Sequence, residues 1–238
     1  MKLYAVGDIH GCARSLRNLY AKILEDVGEE EYRIVFLGDY IDRGPNSKGV
    51  LDFLIDLDPE KHVFLRGNHE DMFLNVLNIY DEEFMFGSTS YNDAEYQWKI
   101  NGGMRTLYSY TQSDYSDIRV LIPEKHMNFL RRTKRIHRET DETGRIVTFV
   151  HAGYDPGKRM EDQTEICLLW NRDFVGYNGE FLDTDLVIHG HTPKEKPIIT
   201  EHQIGIDTGA CFNGELTAVK IGNEIEFLSV PGQTFNSI

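Results

Sequence analysis

The stretch G-D-I-H-G (Gly7–Gly11) places an aspartate and a histidine directly after the apolar run of residues 3–6. Asp8 and His10 are two positions apart, so their side chains project to the same side of an extended segment. The flanking glycines permit a tight turn and a close approach of the backbone. A turn alone explains the aspartate and the glycines but not the imidazole. The stretch therefore predicts a ligand-binding corner at the end of a buried strand.

Apolar strands alternate with amphipathic helices around this corner. Strands are predicted at residues 3–6, 33–37 and 62–65, and helices at 13–27, 47–57 and 70–79. Successive strand–helix units predict parallel pairing with right-handed crossovers. The chain of 238 residues is long enough to bury a sizeable core, and we interpret residues 1–238 as a single α/β domain.

The remainder of the chain divides into two parts. Residues from about 80 to 123 are acidic and aromatic and lack a long apolar strand, which predicts a helical insertion or cap. The last third is predicted to be rich in β-structure, with strands at 146–150, 186–188, 204–206, 216–221 and 224–230.

Each predicted strand of the first third ends in a polar cluster flanked by glycine, and two later strands do the same. After G-D-I-H-G come G-D-Y-I-D-R-G (Gly38–Gly44), R-G-N-H-E (Arg66–Glu70), H-A-G (His151–Gly153) and H-G-H-T (His189–Thr192). In an open α/β sheet the carboxyl ends of the strands meet at the edge where ligands bind. The five clusters are therefore expected to converge on one site.

The converging side chains form a set of metal ligands without a thiolate. The candidate ligands are Asp8, His10, Asp39, Asn68, His151 and His191. Carboxylate, imidazole and amide oxygen suit borderline divalent ions, and we predict manganese, with iron and zinc as alternatives. Six donors exceed the need of one ion that also coordinates substrate and water, so the set predicts two ions that share a carboxylate.

Taken together, these five motifs resemble those of the calcineurin-like metallophosphoesterases, specifically the bacterial and phage branch of the phosphoprotein phosphatase family. The resemblance implies a four-layered fold, in which two mixed β-sheets are sandwiched between helices. It also implies that Asp8, His10 and Asp39 bind one ion, and that Asp39, Asn68, His151 and His191 bind the second. Two such ions would activate a hydroxide that hydrolyses a phosphate ester.

The same resemblance implies roles for four residues that are not ligands. Arg43 resembles the phosphate-binding arginine of the family, and Arg172 in L-L-W-N-R-D-F is expected to supply a second guanidinium for phosphate. His69 resembles the histidine that protonates the leaving oxygen, with Asp42 orienting it. His189 lies outside the family's ligand pattern, and we interpret it as a packing residue near the site.

Two substrates fit this chemistry. The first hypothesis is a serine/threonine protein phosphatase, with dual specificity for phosphotyrosine left open; the alternative is a hydrolase of diadenosine tetraphosphate or related nucleotides. The segment Tyr91–Tyr110 bears on the choice, because Trp98, Tyr96 and Arg105 can form a platform for a base or can pack the insertion onto the body. A third class, an inactive module that binds phosphorylated partners, is expected to have lost a ligand or an arginine, and neither is missing here.

Composition limits the partners. The 25 Lys and Arg against 39 Asp and Glu give a net charge of −14, which disfavours nucleic acid, anionic membranes and a highly charged polyphosphate substrate. Any anionic substrate must therefore be held by a local positive site, and the expected partner is a phosphorylated protein or a small phosphoester. The three scattered cysteines form no disulfide framework, and no apolar stretch approaches the length of a membrane span. We therefore expect a cytoplasmic protein.

Overall fold

The computed structural model describes residues 1–80, 91–111 and 121–234. The strands are β1 (Lys2–Val6), β2 (Tyr32–Phe36), β3 (His62–Phe64), β4 (Ile136–Thr140), β5 (Ile146–Val150), β6 (Leu186–His189), β7 (Ile198–Ile199), β8 (Gln203–Gly205), β9 (Glu215–Ile221) and β10 (Glu226–Pro231). The α-helices are α1 (Ala13–Val27), α2 (Ser47–Leu54), α3 (Asn68–Tyr80), α4 (Tyr91–Trp98), α5 (Met104–Thr111), α6 (Glu124–Arg131) and α7 (Glu165–Trp170), and a π-helical turn, Lys99–Gly103, joins α4 to α5.

The strands form two five-stranded sheets. The first has the order β10-β9-β1-β2-β3, and the second has the order β4-β5-β6-β8-β7. In the first sheet β1 is parallel to β2 and antiparallel to β9. In the second sheet β5 is parallel to β6 and antiparallel to β4. Both sheets are therefore mixed, and the parallel pairing predicted for the first three strands is confirmed.

The two sheets pack face to face between layers of helices. One buried cluster joins side chains of both sheets, among them Val35 from β2 and Phe149 from β5. A second cluster lies between the outer face of the first sheet and α1, α2 and α3. A third packs Leu168 of α7 against the outer face of the second sheet. This arrangement confirms the predicted four-layered α/β architecture.

Sequence periodicity located most of these elements, but not all. The predicted bounds of α1 and β5 are confirmed, and the other predicted elements shift by a few residues. No sequence pattern predicted β4, β7, α6 or α7. The strand β4 reads I-H-R-E-T, and because it is an edge strand with partly exposed side chains it has no continuous apolar face.

The predicted insertion is helical where the structure describes it. The described part comprises α4, the π-helical turn and α5, whereas residues 81–90 and 112–120 of the predicted insertion lie outside the described residues. Within the described ranges, the helices are all too short or too polar to cross a membrane.

Candidate active site

The polar clusters that follow β1, β2, β3, β5 and β6 meet at one buried site, as predicted. Two groups of side chains there place their ligand atoms within 4.8 Å of one another. One group is His10, Asp39 and His69, and the other is Asp39, His151 and His191. Asp39 belongs to both groups, which is the arrangement needed for a carboxylate shared by two ions.

In the second group, side-chain atoms that carry lone pairs point towards one another. His151 Nδ1 lies 3.0 Å from the carbonyl oxygen of Leu37 and donates to it, which leaves Nε2 of the neutral ring without a proton. That Nε2 lies 3.0 Å from Asn68 Oδ1 and 3.5 Å from Asp39 Oδ1, both of which are also acceptors. Three lone pairs that converge with no proton between them fit a bound cation.

His191 completes this group. Its Nδ1 lies 3.0 Å from Asn68 Oδ1 and 3.2 Å from His151 Nε2, while its buried Nε2 has no hydrogen-bond partner among the described residues. Burial lowers the pKa of His191 to about 2. A neutral imidazole at this position is the form that ligates a metal.

The first group has the same features on the other side of Asp39. His10 Nδ1 donates to the carbonyl oxygen of Ile41 at 2.8 Å, so the lone pair of Nε2 points towards Asp39 Oδ2, 3.3 Å away. Arg43 Nη1 donates to the same Nε2 at 2.9 Å. The lone pair of His10 Nε2 thus faces the cationic guanidinium of Arg43. That lone pair and the carboxylate of Asp39 also suit a bound metal cation.

Asp8 lies beside these groups but belongs to neither. Both of its carboxylate oxygens are 3.1 Å from the backbone nitrogen of His191, which donates to them. Burial raises the pKa of Asp8 well above its usual range, and the negative charges of Asp207 and Asp39 raise it further. A bound cation would reverse this effect, because it stabilises the ionised carboxylate.

The backbone of the site adopts a conformation that non-glycine residues rarely use. In the described part of the chain, six residues other than glycine have a positive φ: His10, Asp39, Asp42, Arg43, His191 and Asn213. The first five lie in the site, with φ between 44° and 70°. Such left-handed conformations cost roughly 1–2 kcal/mol each and are retained where the surroundings over-determine them.

Glu70 fixes the turn that carries the shared carboxylate. Its two buried carboxylate oxygens accept hydrogen bonds from the backbone N–H groups of Asp39 (2.8 Å), Tyr40 (2.8 Å) and Gly67 (2.9 Å). Burial raises the pKa of Glu70 to about 8, and the charge of Asp39 adds to this effect. Gly67 must lack a side chain, because a Cβ there would overlap Asp39 Oδ1.

His69 is held by a carboxylate that is itself firmly anchored. Its Nδ1 lies 2.7 Å from Asp42 Oδ2, while its buried Nε2 has no hydrogen-bond partner among the described residues. Asp42 Oδ2 also accepts the indole N–H of Trp98 at 2.9 Å, and Asp42 Oδ1 accepts the hydroxyl of Thr106 at 2.6 Å. Asp42 therefore accepts on both oxygens, and His69 keeps one ring nitrogen available to a ligand.

The helical insertion supplies these anchors from beneath the site. Trp98 is fully buried, with its ring 5.0 Å from that of Phe73. Gly102, at φ 113°, accepts the backbone N–H of Arg43 at 3.3 Å, and a Cβ at Gly102 would lie 2.8 Å from Arg43 Cγ. Trp98 therefore cannot form the base platform that was one of the two alternatives for this segment, because its ring is buried and its indole N–H donates to Asp42.

Two arginines and two unpredicted aromatic residues lie at the mouth of the site. The guanidinium of Arg43 lies 5.5 Å from the centre of the Phe212 ring. Arg172 is exposed, and its positive charge is among the causes that lower the pKa of His191. The ring of Trp170 stands edge-on to His191, with 6.3 Å between their centres.

His189 is a packing residue, in agreement with the sequence interpretation. Its ring stands edge-on to Phe174 at 5.3 Å, and its Nδ1 lies 3.1 Å from the carbonyl oxygen of Gly190. Burial lowers the pKa of His189 to about 4, so the ring remains neutral inside the second sheet.

Several residues of the site were missed in the sequence. Glu70 ends the motif R-G-N-H-E, and Trp170 stands in the segment quoted only for Arg172, so both lay next to a recognised signal. Asp207 follows β8 just as the candidate ligands follow their strands. No sequence signal connects Trp98 or Thr106 with Asp42, because these contacts span 56 and 64 positions of the chain.

The fold and this site agree with a family assignment made from the sequence as a whole. The sequence model of the calcineurin-like phosphoesterases matches residues 1–195. The chain belongs to this family and is a phosphoesterase, which confirms the resemblance carried by the five motifs.

Similar proteins of named activity match nearly the whole chain. The bis(5′-nucleosyl)-tetraphosphatase PrpE (asymmetrical) of Bacillus anthracis is 29% identical over 245 aligned positions, which cover 97% of this chain and 94% of that protein. The protein of the same name from Bacillus cereus is also 29% identical over the same shares of both chains.

Solved structures share the fold at lower identity. A protein described as a candidate diadenosine tetraphosphatase has a TM-score of 0.64 at 19% identity, and the match covers 97% of this chain and 93% of that one. A protein serine/threonine phosphatase from Saccharomyces cerevisiae has a TM-score of 0.62 at 15% identity, covering 96% of this chain and 79% of that one. Both similarities concern the fold alone.

Proposed function

We propose that this protein hydrolyses bis(5′-nucleosyl) tetraphosphates such as diadenosine tetraphosphate. The observation that carries the proposal is the similarity to PrpE, which extends over 97% of the chain at 29% identity. This similarity favours the nucleotide-hydrolase alternative over the protein-phosphatase interpretation reached from the sequence. The serine/threonine phosphatase match supports the same fold and adds nothing on substrate.

The proposal assigns the candidate ligands to two divalent ions. Asp8, His10 and Asp39 would hold one ion, and Asp39, Asn68, His151 and His191 would hold the other. The converging lone pairs around Asp39 support this assignment. Bound there, two ions supply Lewis acidity and a nucleophilic water for in-line displacement at phosphorus. We propose manganese as the metal because the ligands are carboxylate, amide oxygen and imidazole.

The other residues of the site would bind phosphate and move a proton. Arg43 and Arg172 are the guanidinium groups at the site, and each can bind phosphate oxygens in a bidentate manner. His69 Nε2 would donate a proton to the oxygen that leaves, while Asp42 accepts from His69 Nδ1 at 2.7 Å and stabilises the charged ring. The hydrogen bonds from Trp98 and Thr106 hold Asp42 in position for this role.

The decisive experiment compares two substrates on one preparation. The purified protein is stripped with a chelator, reloaded with manganese, iron or zinc, and assayed on diadenosine tetraphosphate and on a panel of phosphoserine and phosphothreonine peptides. We expect rapid formation of AMP and ATP from the dinucleotide, little release of phosphate from the peptides, and loss of activity after chelation. Manganese is expected to restore the highest rate.

Other outcomes separate the remaining interpretations. Rapid turnover of the peptides without cleavage of the dinucleotide would establish the protein-phosphatase interpretation and refute the proposal. Two bound ions per chain without activity on either substrate would instead indicate an inactive phosphate-binding module.

A further inference from the structure

The short helix α7 exposes two large apolar side chains. Ile166 and Trp170 are four positions apart, so they lie on the same face of the helix, and they are 73% and 41% exposed. The two residues before Trp170, Leu168 and Leu169, are buried. The outward face of a surface helix is normally polar, so this exposed apolar pair is a candidate contact surface.

This apolar pair is fixed next to the candidate metal ligands. The carbonyl oxygen of Leu168 accepts the backbone N–H of Ala152 at 2.8 Å, which ties α7 to the residue that follows His151. The helix begins at a capped end, where the hydroxyl of Thr164 accepts the backbone N–H of Cys167. The Trp170 ring lies 6.3 Å from that of His191. The indole is therefore within reach of a substrate bound at the ligands.

A cavity opens beside the pair. Its volume is about 600 Å³, which lies within the range of small-molecule sites. Its aromatic and apolar lining includes Tyr154, Ile166, Trp170, Phe174 and Tyr177. The lining also includes Asp155 and Asp173, and the exposed Arg172 follows Trp170 by two residues, so a positive charge is available next to the aromatic surface. A ligand with a planar apolar part and a phosphate part matches this combination.

We propose that Ile166 and Trp170 form the nucleobase platform of this enzyme, on which one base of the substrate stacks while its phosphates extend past Arg172 to the ligands around Asp39. This inference rests on the proposed function, because it takes the substrate to be a nucleotide. Base stacking on an aromatic side chain is worth about 1–3 kcal/mol, or roughly 5- to 150-fold in affinity. Binding should therefore depend on the base, in addition to the phosphate.

The test measures this dependence directly and requires no turnover. AMP and ribose 5-phosphate carry the same phosphate and sugar, and only AMP carries a base. We expect calorimetric titration of the manganese-loaded protein to show AMP binding about 10-fold more tightly than ribose 5-phosphate. Trp170 is the exposed one of two tryptophans, so AMP should quench part of the tryptophan emission and ribose 5-phosphate should not.

Variants connect the preference to the platform. Trp170→Leu should reduce the affinity ratio of the two ligands to about 1 and abolish the quenching, whereas Trp170→Phe should retain part of the ratio. Ile166→Ala should reduce it by a few-fold. Ile199→Ala changes a comparably exposed isoleucine on β7 and should leave the ratio unchanged. Equal affinity of the wild-type protein for both ligands, or an undiminished ratio in Trp170→Leu, would overturn the platform.

The nucleobase platform and the proposed reaction can fail independently, and the measurements distinguish the two cases. A protein that prefers AMP through Trp170 but does not cleave diadenosine tetraphosphate keeps the platform and loses the proposed reaction. A protein that cleaves the dinucleotide without any preference for AMP over ribose 5-phosphate keeps the reaction and loses the platform.

Discussion

Two tryptophan-bearing segments flank the site, and they are used in opposite ways. The segment 91–111 buries Trp98 completely and directs its indole N–H at Asp42, whereas the segment 165–173 leaves Trp170 41% exposed, edge-on to His191. The first segment supports the site from beneath, and the second faces incoming substrate. Aromatic content alone therefore does not identify a ligand-binding segment, because burial decides which role a ring can have.

The largest expected effect concerns His69, which the segment 91–111 supports through Asp42. His69→Asn should retain metal binding and lower kcat on diadenosine tetraphosphate by about 10²- to 10⁴-fold, because the proton donor is lost. Metal content from elemental analysis and steady-state rates check this. The matched control is His189→Asn, which changes another buried histidine and should have a mild effect on kcat. An unchanged rate in His69→Asn would remove this histidine from the mechanism.

The next prediction contrasts the stability contributions of the two tryptophans. Trp98→Phe removes a buried hydrogen bond to a carboxylate and should lower the free energy of unfolding by about 1.5–3 kcal/mol. Trp170→Phe alters an exposed ring and should stay within about 0.5 kcal/mol of the wild-type protein. Urea denaturation of the three proteins measures both values. Equal losses in the two variants would contradict the division into a supporting and a substrate-facing segment.

A smaller effect is expected when the Thr106 hydroxyl, which donates to Asp42, is removed. Thr106→Val removes the hydrogen bond to Asp42 Oδ1, so kcat should fall about 10-fold while KM stays within a factor of two, because the loss affects the positioning of His69. Thr106→Ser keeps a hydroxyl and should restore most of kcat. If serine fails to rescue, or if KM rises instead, Thr106 acts through packing and not through Asp42.

The smallest expected effect is a pH dependence of the free energy of unfolding that arises from His126 of α6, which contacts the insertion at Tyr110. His126 is buried between the Tyr110 hydroxyl (2.6 Å) and Asp52 Oδ1 (3.1 Å), and burial lowers its pKa even though Asp52 opposes this. The unfolded chain therefore takes up a proton first, and stability is lost as the pH falls below about 6.5. His126→Gln should show a smaller drop in urea midpoint between pH 7.5 and pH 5.5; an identical drop would refute this role.

Much of the fold was predictable because its signals are local. Leu16, Leu19 and Ile23 recur at helical spacing, and α1 has the bounds that this pattern predicts. The strands β9 and β10 pair as an antiparallel hairpin, and residues 222–225, which connect them, begin with Gly222 and Asn223, a local turn signal. The six-residue helix α7 was missed because it is too short for a periodic pattern, and the two-residue strand β7 for the same reason.

The residues of the site likewise fall into those that local sequence predicts and those that it does not. The candidate ligands immediately follow strands, so the position of a strand in a sheet fixes where they meet. The supports of Asp42 depend on how the insertion docks, which local sequence does not encode. Only docking shows that Trp98 is buried and Trp170 exposed, and this distinction selects the packing role over the base platform for Trp98, two alternatives that the sequence left open.

The left-handed backbone at His10, Asp39, Asp42, Arg43 and His191 sets a limit on how far this protein can be stabilised without loss of function. Glycine at any of these positions would relieve roughly 1–2 kcal/mol of backbone strain, but it would delete a side chain that we propose to bind metal or phosphate or to position the proton donor. Laboratory selection for thermal resistance alone would therefore favour variants that lose these side chains. Durable stabilised forms must gain their stability elsewhere, for instance at exposed loops far from the strand ends.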